Sequence, residues 1–259
     1  MTPLTLDQKK NRLFVILCGI FITNALVAEM IGVKIFSAEQ TLGMDPIALN
    51  MFGNIYNFNL TAGVVIWPVV FITSDLINEY FGQPGVKRIS YFTAILLSYA
   101  FLTIFITIDL PPAQFWLDMY SKDSAGNYFN MDHAFNTIFG QGQRIIIGSL
   151  TAFLIGQLVD AFIFQKLRKL TGTKMLWVRA TGSTLISQLI DSFVVIYIAF
   201  GVGPNQTGTA VTNYIYKFII AIALTPVIYF GHFLIDQYLG KENSEKISAE
   251  ATHESGKFF

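Results

Sequence analysis

Long apolar runs separated by polar connections dominate this chain. A membrane-spanning helix needs about 20 mainly apolar residues, and six stretches reach that length. None alternates between apolar and polar residues as a membrane barrel strand does, so each is predicted to be a helix. The predicted spans are Leu13–Phe36, Leu60–Phe81, Ile89–Asp109, Ile145–Phe164, Trp177–Phe200 and Val211–Leu239. The pattern predicts an all-α, polytopic membrane protein with a six-helix bundle within residues 1–240.

Composition supports the membrane assignment. Hydrophobic residues make up 53% of the 259 positions and charged residues only 13%, about half the charged fraction of soluble domains. The net charge is zero, so there is no electrostatic basis for nucleic-acid binding. The single cysteine, Cys18, excludes an intramolecular disulfide and a cysteine-built metal site, and we interpret it as a packing residue.

The basic residues predict the orientation. One side of the predicted bundle carries thirteen of them, the other carries only Lys122 and Arg144, and both termini are therefore expected to be cytoplasmic. The thirteen are Lys9, Lys10, Arg12, Lys87, Arg88, Lys166, Arg168, Lys169, Lys174, Arg179, Lys241, Lys246 and Lys257.

Three flanking segments differ from the spans. The basic residues 1–12 precede an apolar run, as in a signal peptide, but that run is long and five more follow, so we interpret it as a first span. The outer loop 110–143 is predicted to hold a short interfacial helix around Pro111–Tyr120. The polar tail 241–259 is predicted to be disordered.

Polar residues inside the spans are costly and mark candidate sites. At 1.5 Å per residue, Asp75 and Asp160 should both lie ~22 Å from the outer surface, forming an inner acidic level with Asn78 and Glu79. Asp191 and Lys217 should both lie roughly 9 Å below that surface. We expect those two to form an ion pair there, with Arg144 nearby.

Spans four and five share a short motif, Gly156–Phe162 and Ser187–Phe193, in which Gln and Asp lie three residues apart on one helix face. Chance similarity between two apolar helices is an alternative explanation. Gln157 and Gln188 fall near the middle of the membrane, and a polar stripe along span five must face protein or a cavity. Gly148, Ala152 and Gly156 are typical of close helix packing, and Pro226 is predicted to kink span six.

Several reaction types lack their motifs. The chain has no GxxxxGK[ST], HExxH or GxSxG sequence, and its three histidines are far apart in the predicted topology. An intramembrane hydrolase using Asp75 and Asp160 as a carboxylate pair is one alternative. No cofactor is expected.

Five stretches of the chain resemble the queuosine precursor transporter family, over about residues 13–239. They are Asn24 with Lys34, SDLINEYFG…KR at 74–88, RIIIGSLTAFLIGQLVDAFIF at 144–164, STLISQLIDSF at 183–193 and Tyr214…Lys217…Thr225-Pro226. The resemblance implies uptake of 7-cyano-7-deazaguanine and 7-aminomethyl-7-deazaguanine, precursors of the tRNA nucleoside queuosine, across a bacterial inner membrane. It also implies kinship with the six-helix binding components of energy-coupling-factor vitamin importers.

The resemblance and the depth of the polar groups together predict the site. The expected substrate contacts are Asn24, Gln157, Gln188, Asp191, Lys217 and Arg144. The expected cytoplasmic gate residues are Asp75, Asn78, Glu79, Arg88 and Asp160. Two alternatives remain: a binding component energised by partner ATPases, and a proton-coupled transporter of another small solute. The sequence leaves open whether the protein forms a homo-oligomer.

Overall fold

The structure is a computed structural model that describes residues 4–51, 53–140, 143–172 and 175–254, without the side chains of Gln143, Arg144 and Glu254. Most of the described chain is helical. The helices are α1 (Leu6–Ile31), α2 (Ala38–Thr41), α3 (Trp67–Ile108), α4 (Gln114–Met119), α5 (Met131–Phe139), α6 (Gln143–Thr171), α7 (Leu176–Phe200), α8 (Pro204–Ala223), α9 (Thr225–Leu239) and α10 (Lys241–Glu254).

Two small antiparallel sheets lie between α1 and α3. Strand β1 (Ile35–Ser37) pairs with β4 (Asn59–Thr61), and β2 (Leu49–Met51) pairs with β3 (Asn54–Tyr56). A 3-10 turn, Ala62–Val65, then leads into α3. The all-α expectation therefore needs correction in this connection.

Several helices of the described chain are long and apolar enough to cross a membrane. Four qualify alone: α1, α3, α6 and α7. The bent pair α8 and α9 would be a fifth if it forms one span, with 44° between its axes. That bend lies at Leu224, two residues before Pro226, which confirms the predicted kink. The protein is therefore a multi-pass membrane protein.

Helix α3 is kinked at Gly82. This glycine has φ 65° and ψ −174°, a conformation that side chains with a Cβ rarely adopt. A Cβ placed on Gly85 would lie 3.4 Å from a methyl carbon of Ile77, although residues eight apart in a straight helix are about 12 Å apart. The chain bends sharply here, and the arms 67–81 and 83–108 overlap predicted spans two and three.

The ends of the first two spans differ from the predictions. Helix α1 begins at Leu6, seven residues before the predicted start, because Thr5 and Gln8 form a capping box in the polar flank. It ends at Ile31 because Ile35–Ser37 pairs as a strand with Asn59–Thr61. That strand also removes Leu60 from the second span. Hydropathy locates apolar residues but not such caps or pairings.

The core forms where α1, the first arm of α3 and α6 meet. Phe21, Val70 and Ile77 are fully buried within it, and the rings of Trp67 and Phe153 lie 5.9 Å apart. Helices α6 and α7 approach closely through the predicted row of small residues. A Cβ on Gly148 would lie 3.1 Å from a carbonyl oxygen of α7.

The C-terminal segment differs from the expected disordered tail, because Lys241–Glu254 forms α10. Ser244, Ile247, Ser248 and Ala251 are buried on one face of this helix. The segment is polar on average, so its apolar face is not visible in the mean hydropathy. Residues 255–259 lie outside the described residues.

Candidate functional site

A cavity of about 380 Å³ lies between α1, α6, α7 and α8. Its apolar walls include Trp67, Phe71 and Phe153. Its polar lining comes mainly from Glu29, Ser149, Gln157, Gln188, Asp191, Ser192 and Lys217. An apolar cavity of several hundred cubic ångströms with a few polar groups is typical of a small-molecule site.

Helix α7 brings two polar atoms without partners into this cavity. Gln188 is 5% exposed and Ser192 is fully buried. Neither Gln188 Oε1 nor Ser192 Oγ has a hydrogen-bond partner among the described residues. They lie four residues apart and so share a helix face. A buried polar group without a partner costs about 1–3 kcal/mol, so a polar ligand that formed hydrogen bonds with these two atoms would be favoured.

Helix α6 contributes Gln157 to the lining of the cavity. Its Oε1 accepts a hydrogen bond from Ser74 Oγ at 2.7 Å, which leaves the amide NH₂ as its donor group. Gly156, one residue earlier, has no side chain to fill the space beside Asp191. A Cβ at this position would lie 3.6 Å from the Asp191 side chain. Gln157 from the span-four copy of the shared motif and Gln188 and Asp191 from the span-five copy therefore line one cavity.

The expected ion pair is present at the cavity wall. Lys217 donates a hydrogen bond to Asp191, and both side chains are 18% exposed. Depth counting predicted this pair correctly. Arg144, which we expected nearby, has a side chain that lies outside the described residues.

Two residues of α1 correct the predicted site. Asn24 does not line the cavity, and its Nδ2 donates to the Ile20 carbonyl of its own helix at 2.8 Å. Glu29 does line it, and accepts a hydrogen bond from Ser149 Oγ at 2.5 Å. Glu29 is not among the residues expected from the sequence, although an acid inside a predicted span was the available signal.

A buried polar column continues from Gln157 along α6, away from the cavity. Asp75 and Asp160 are 2% and 6% exposed, and Asp160 accepts a hydrogen bond from Ser187 at 3.2 Å. One helical turn further, Gln165 Nε2 donates to the carbonyl and side-chain oxygens of Asn78 at 2.7 and 2.8 Å. The expected gate residues thus lie beyond the cavity rather than in it.

The column ends in an ionic cluster around Glu79. Its carboxylate accepts hydrogen bonds from Arg179 Nε and Nη2 at 3.0 and 2.9 Å, and Arg168 Nη2 lies 3.2 Å from Oε1. Ser248 of α10 also donates to Oε1, at 2.9 Å. Arg88, another of the expected gate residues, is exposed. Arg168 and Arg179 are among the basic residues that predict the membrane orientation. Sequence position alone does not reveal that their side chains point inward to Glu79.

The described residues contain no group of three or more His, Cys, Asp or Glu side chains suited to a metal ion. Their polar network consists of hydrogen bonds and ion pairs between side chains. Such a network, with a cavity at one end and an ionic cluster at the other, suits binding and movement of a small polar molecule.

Known proteins similar to this chain are transporters. Residues 61–231, more than half of the chain, match a family model described as "Putative vitamin uptake transporter". The "Probable queuosine precursor transporter" of Haemophilus influenzae is 26% identical over 86% of this chain and 87% of its own length. The protein of the same name from Bacillus subtilis is 26% identical over 68% of this chain and 72% of its own.

The "Queuosine precursor transporter" of Escherichia coli is also 26% identical, over 65% of this chain and 71% of its own length. No solved structure matches the chain. The chain therefore belongs to the vitamin uptake transporter family, as its resemblance to queuosine precursor transporters predicts, and its role is transport rather than catalysis.

Proposed function

We propose that this protein imports the queuosine precursors 7-cyano-7-deazaguanine and 7-aminomethyl-7-deazaguanine across a bacterial inner membrane. Relatives named for queuosine precursor transport align with up to 86% of the chain. The cavity between α1, α6 and α7 would hold the base. Its volume of about 380 Å³ lies within the usual range for small-molecule sites.

The observation that carries this proposal is the pair of unpartnered atoms, Gln188 Oε1 and Ser192 Oγ. A deazaguanine base presents N–H donors beside a carbonyl acceptor on one edge. Gln188 Oε1 would accept from an N–H group, while the Gln157 NH₂ would donate to the carbonyl. Trp67 and Phe71 supply an apolar surface for the flat ring. Each of these hydrogen bonds would satisfy a buried polar group that costs free energy when it has no partner.

The pair Asp191 and Lys217 completes the proposed contacts. It borders the cavity while remaining internally neutral, so it would offer both an acceptor and a donor to the substrate. Arg144, at the beginning of α6, remains an expected contributor to the same end of the site.

The proposed topology has six spans and cytoplasmic termini. The two arms of α3 would count as separate spans and α8 with α9 as one, alongside α1, α6 and α7. The thirteen basic residues then face the cytoplasm. The cavity would open toward the outside, and the column from Asp75 to Glu79 would close the cytoplasmic end.

Release into the cytoplasm would require this gate to open. Asp75, Asn78 and Asp160 would line the path, and Glu79 with its two arginines would be its final barrier. Buried ion pairs of this kind are suited to two discrete arrangements, since a partly opened pair leaves charges unsatisfied.

The experiment uses bacteria that can neither synthesise the precursors nor express this transporter. Cells complemented with the wild-type gene and supplied with a limiting amount of 7-cyano-7-deazaguanine should build queuosine into tRNA, measured by mass spectrometry of tRNA nucleosides. Gln188→Ala should reduce that amount at least about tenfold, because one base contact is lost.

Leu189→Ala is the matched control, because Leu189 is the next residue, is 41% exposed and does not line the cavity. It should restore queuosine fully. Two results would overturn the proposal: queuosine formation at the same limiting precursor without any transporter gene, or wild-type formation by Gln188→Ala present in normal amount in the membrane.

A further inference from the structure

We propose that Glu29 is a specificity-determining residue that selects bases carrying a 2-amino group. This inference rests on the proposed function, and it assigns to one acidic side chain the recognition of the N1–H and 2-amino edge of the deazaguanine. Glu29 was not among the residues expected from the sequence. Its position, its charge and its hydrogen bonding each support the assignment.

Glu29 is held firmly at the cavity wall. It lies in the last turn of α1, where the backbone is in direct contact with the 3-10 turn: a Cβ on Gly63 would lie 2.6 Å from the Ala28 carbonyl oxygen. The hydroxyl of Ser149 on α6 donates to one carboxylate oxygen at 2.5 Å. Ser149 therefore orients the side chain, which stays partly exposed to the cavity.

The charge of Glu29 is not balanced within the described residues. The other acid on the cavity wall, Asp191, is paired with Lys217. No described lysine, arginine or histidine side chain forms a salt bridge with Glu29, whose described partner is the neutral Ser149. A carboxylate in a mostly apolar wall gains most from a ligand that brings N–H donors to it.

The geometry of a carboxylate explains the selectivity. Its two oxygens can accept two parallel N–H bonds, and a guanine-type base offers such a pair through N1–H and the 2-amino group. A hypoxanthine-type base lacks the amino group and satisfies only one oxygen. A site built for hydrogen bonding discriminates strongly against an analogue that leaves one of its groups unpaired.

The test measures dissociation constants of the purified full-length protein in lipid nanodiscs. The ligands are 7-cyano-7-deazaguanine, its analogue 7-cyano-7-deazahypoxanthine, and 7-aminomethyl-7-deazaguanine. The wild type should bind the 2-amino compound about ten- to a hundredfold more tightly than the analogue. Glu29→Gln should lose most of this preference, because its NH₂ meets an N–H donor. Met30→Leu, on the lipid-exposed neighbour, should retain it.

Glu29→Asp keeps the carboxylate and should preserve the preference at lower affinity, so a folded variant is available if Glu29→Gln does not fold. Equal binding of the two cyano compounds by the wild type overturns the inference without any variant. An unchanged preference in Glu29→Gln also overturns it, as does a loss confined to the aminomethyl compound, which would place the ammonium at Glu29. Failure of the wild type to bind any of the three compounds overturns the proposed function itself.

Discussion

Glu79 and Arg179 form a two-pronged ion pair although they lie 100 positions apart in the chain, with N–O distances of 3.0 and 2.9 Å. Both side chains are at most 5% exposed. Arg168 and Ser248 contact the same carboxylate. Four elements, α3, α6, α7 and α10, therefore meet at one acidic side chain.

Removing this carboxylate should destabilise the protein strongly. Glu79→Ala leaves two buried guanidinium groups without their acid and should lower the free energy of unfolding by about 3–5 kcal/mol. Reversible unfolding in mixed micelles measures it. The control is Lys10→Ala, which breaks the exposed Lys10–Glu250 contact at 3.9 Å and should cost less than about 1 kcal/mol. Equal losses in the two variants would contradict the assigned role of the cluster.

Gly63 should not tolerate a side chain. Its added methyl would lie 2.6 Å from the Ala28 carbonyl oxygen, so the 3-10 turn would have to move away from α1. We expect Gly63→Ala to cost about 1–3 kcal/mol of folding free energy. The control is Gly19→Ala in α1. A Cβ at Gly19 meets no atom within 4 Å, so this variant should be neutral or stabilising by up to ~1 kcal/mol. A reversed order in chemical unfolding would refute this packing argument.

Asp191 and Lys217 should depend on each other. Asp191→Asn and Lys217→Met each leave one charge unbalanced beside the cavity, whereas the double variant removes both. The double variant should lose less stability than the sum of the losses in the two single variants. The difference, which is the coupling energy, should be about 0.5–3 kcal/mol. A double-mutant cycle of unfolding free energies measures this, and strict additivity would show that the pair has no energetic role.

The C-terminal helix should be docked rather than free. Ile247 is 3% exposed in the core, and Ser244 bonds to Asp236. Hydrogen exchange should therefore show protected amides in α10, and Ile247→Asp should abolish that protection. Lys246→Asp, on the exposed side of the same helix, should keep it. Rapid exchange throughout α10 in the wild type would contradict this docking.

Apolar periodicity and depth counting predicted much of this arrangement. Four described helices that are long and apolar enough to cross a membrane, or five with the bent pair, overlap the predicted spans. Asp191 and Lys217 were paired correctly because opposite charges at one depth lower each other's burial cost. Gln157 and Gln188 were expected near the middle of the membrane from residue counting, and both line the cavity.

Other features depend on contacts that are distant in sequence. Nothing local indicates that Arg168 and Arg179, rather than Arg88, turn inward to Glu79. The docking of α10 depends on a narrow apolar face within a polar segment. Asn24 donates a hydrogen bond to a carbonyl of its own helix, whereas Glu29 accepts one from Ser149, which lies on α6.

In the proposed function, the base binds on the α7 face that carries Gln188 and Ser192. The most direct measurement is the dissociation constant of 7-cyano-7-deazaguanine for the purified protein in nanodiscs. We predict saturable binding by the wild type and by Ile186→Ala, a lipid-facing control on α7. The double variant Gln188→Ala with Ser192→Ala should bind at least about tenfold more weakly. An unchanged dissociation constant in that folded double variant would contradict the account.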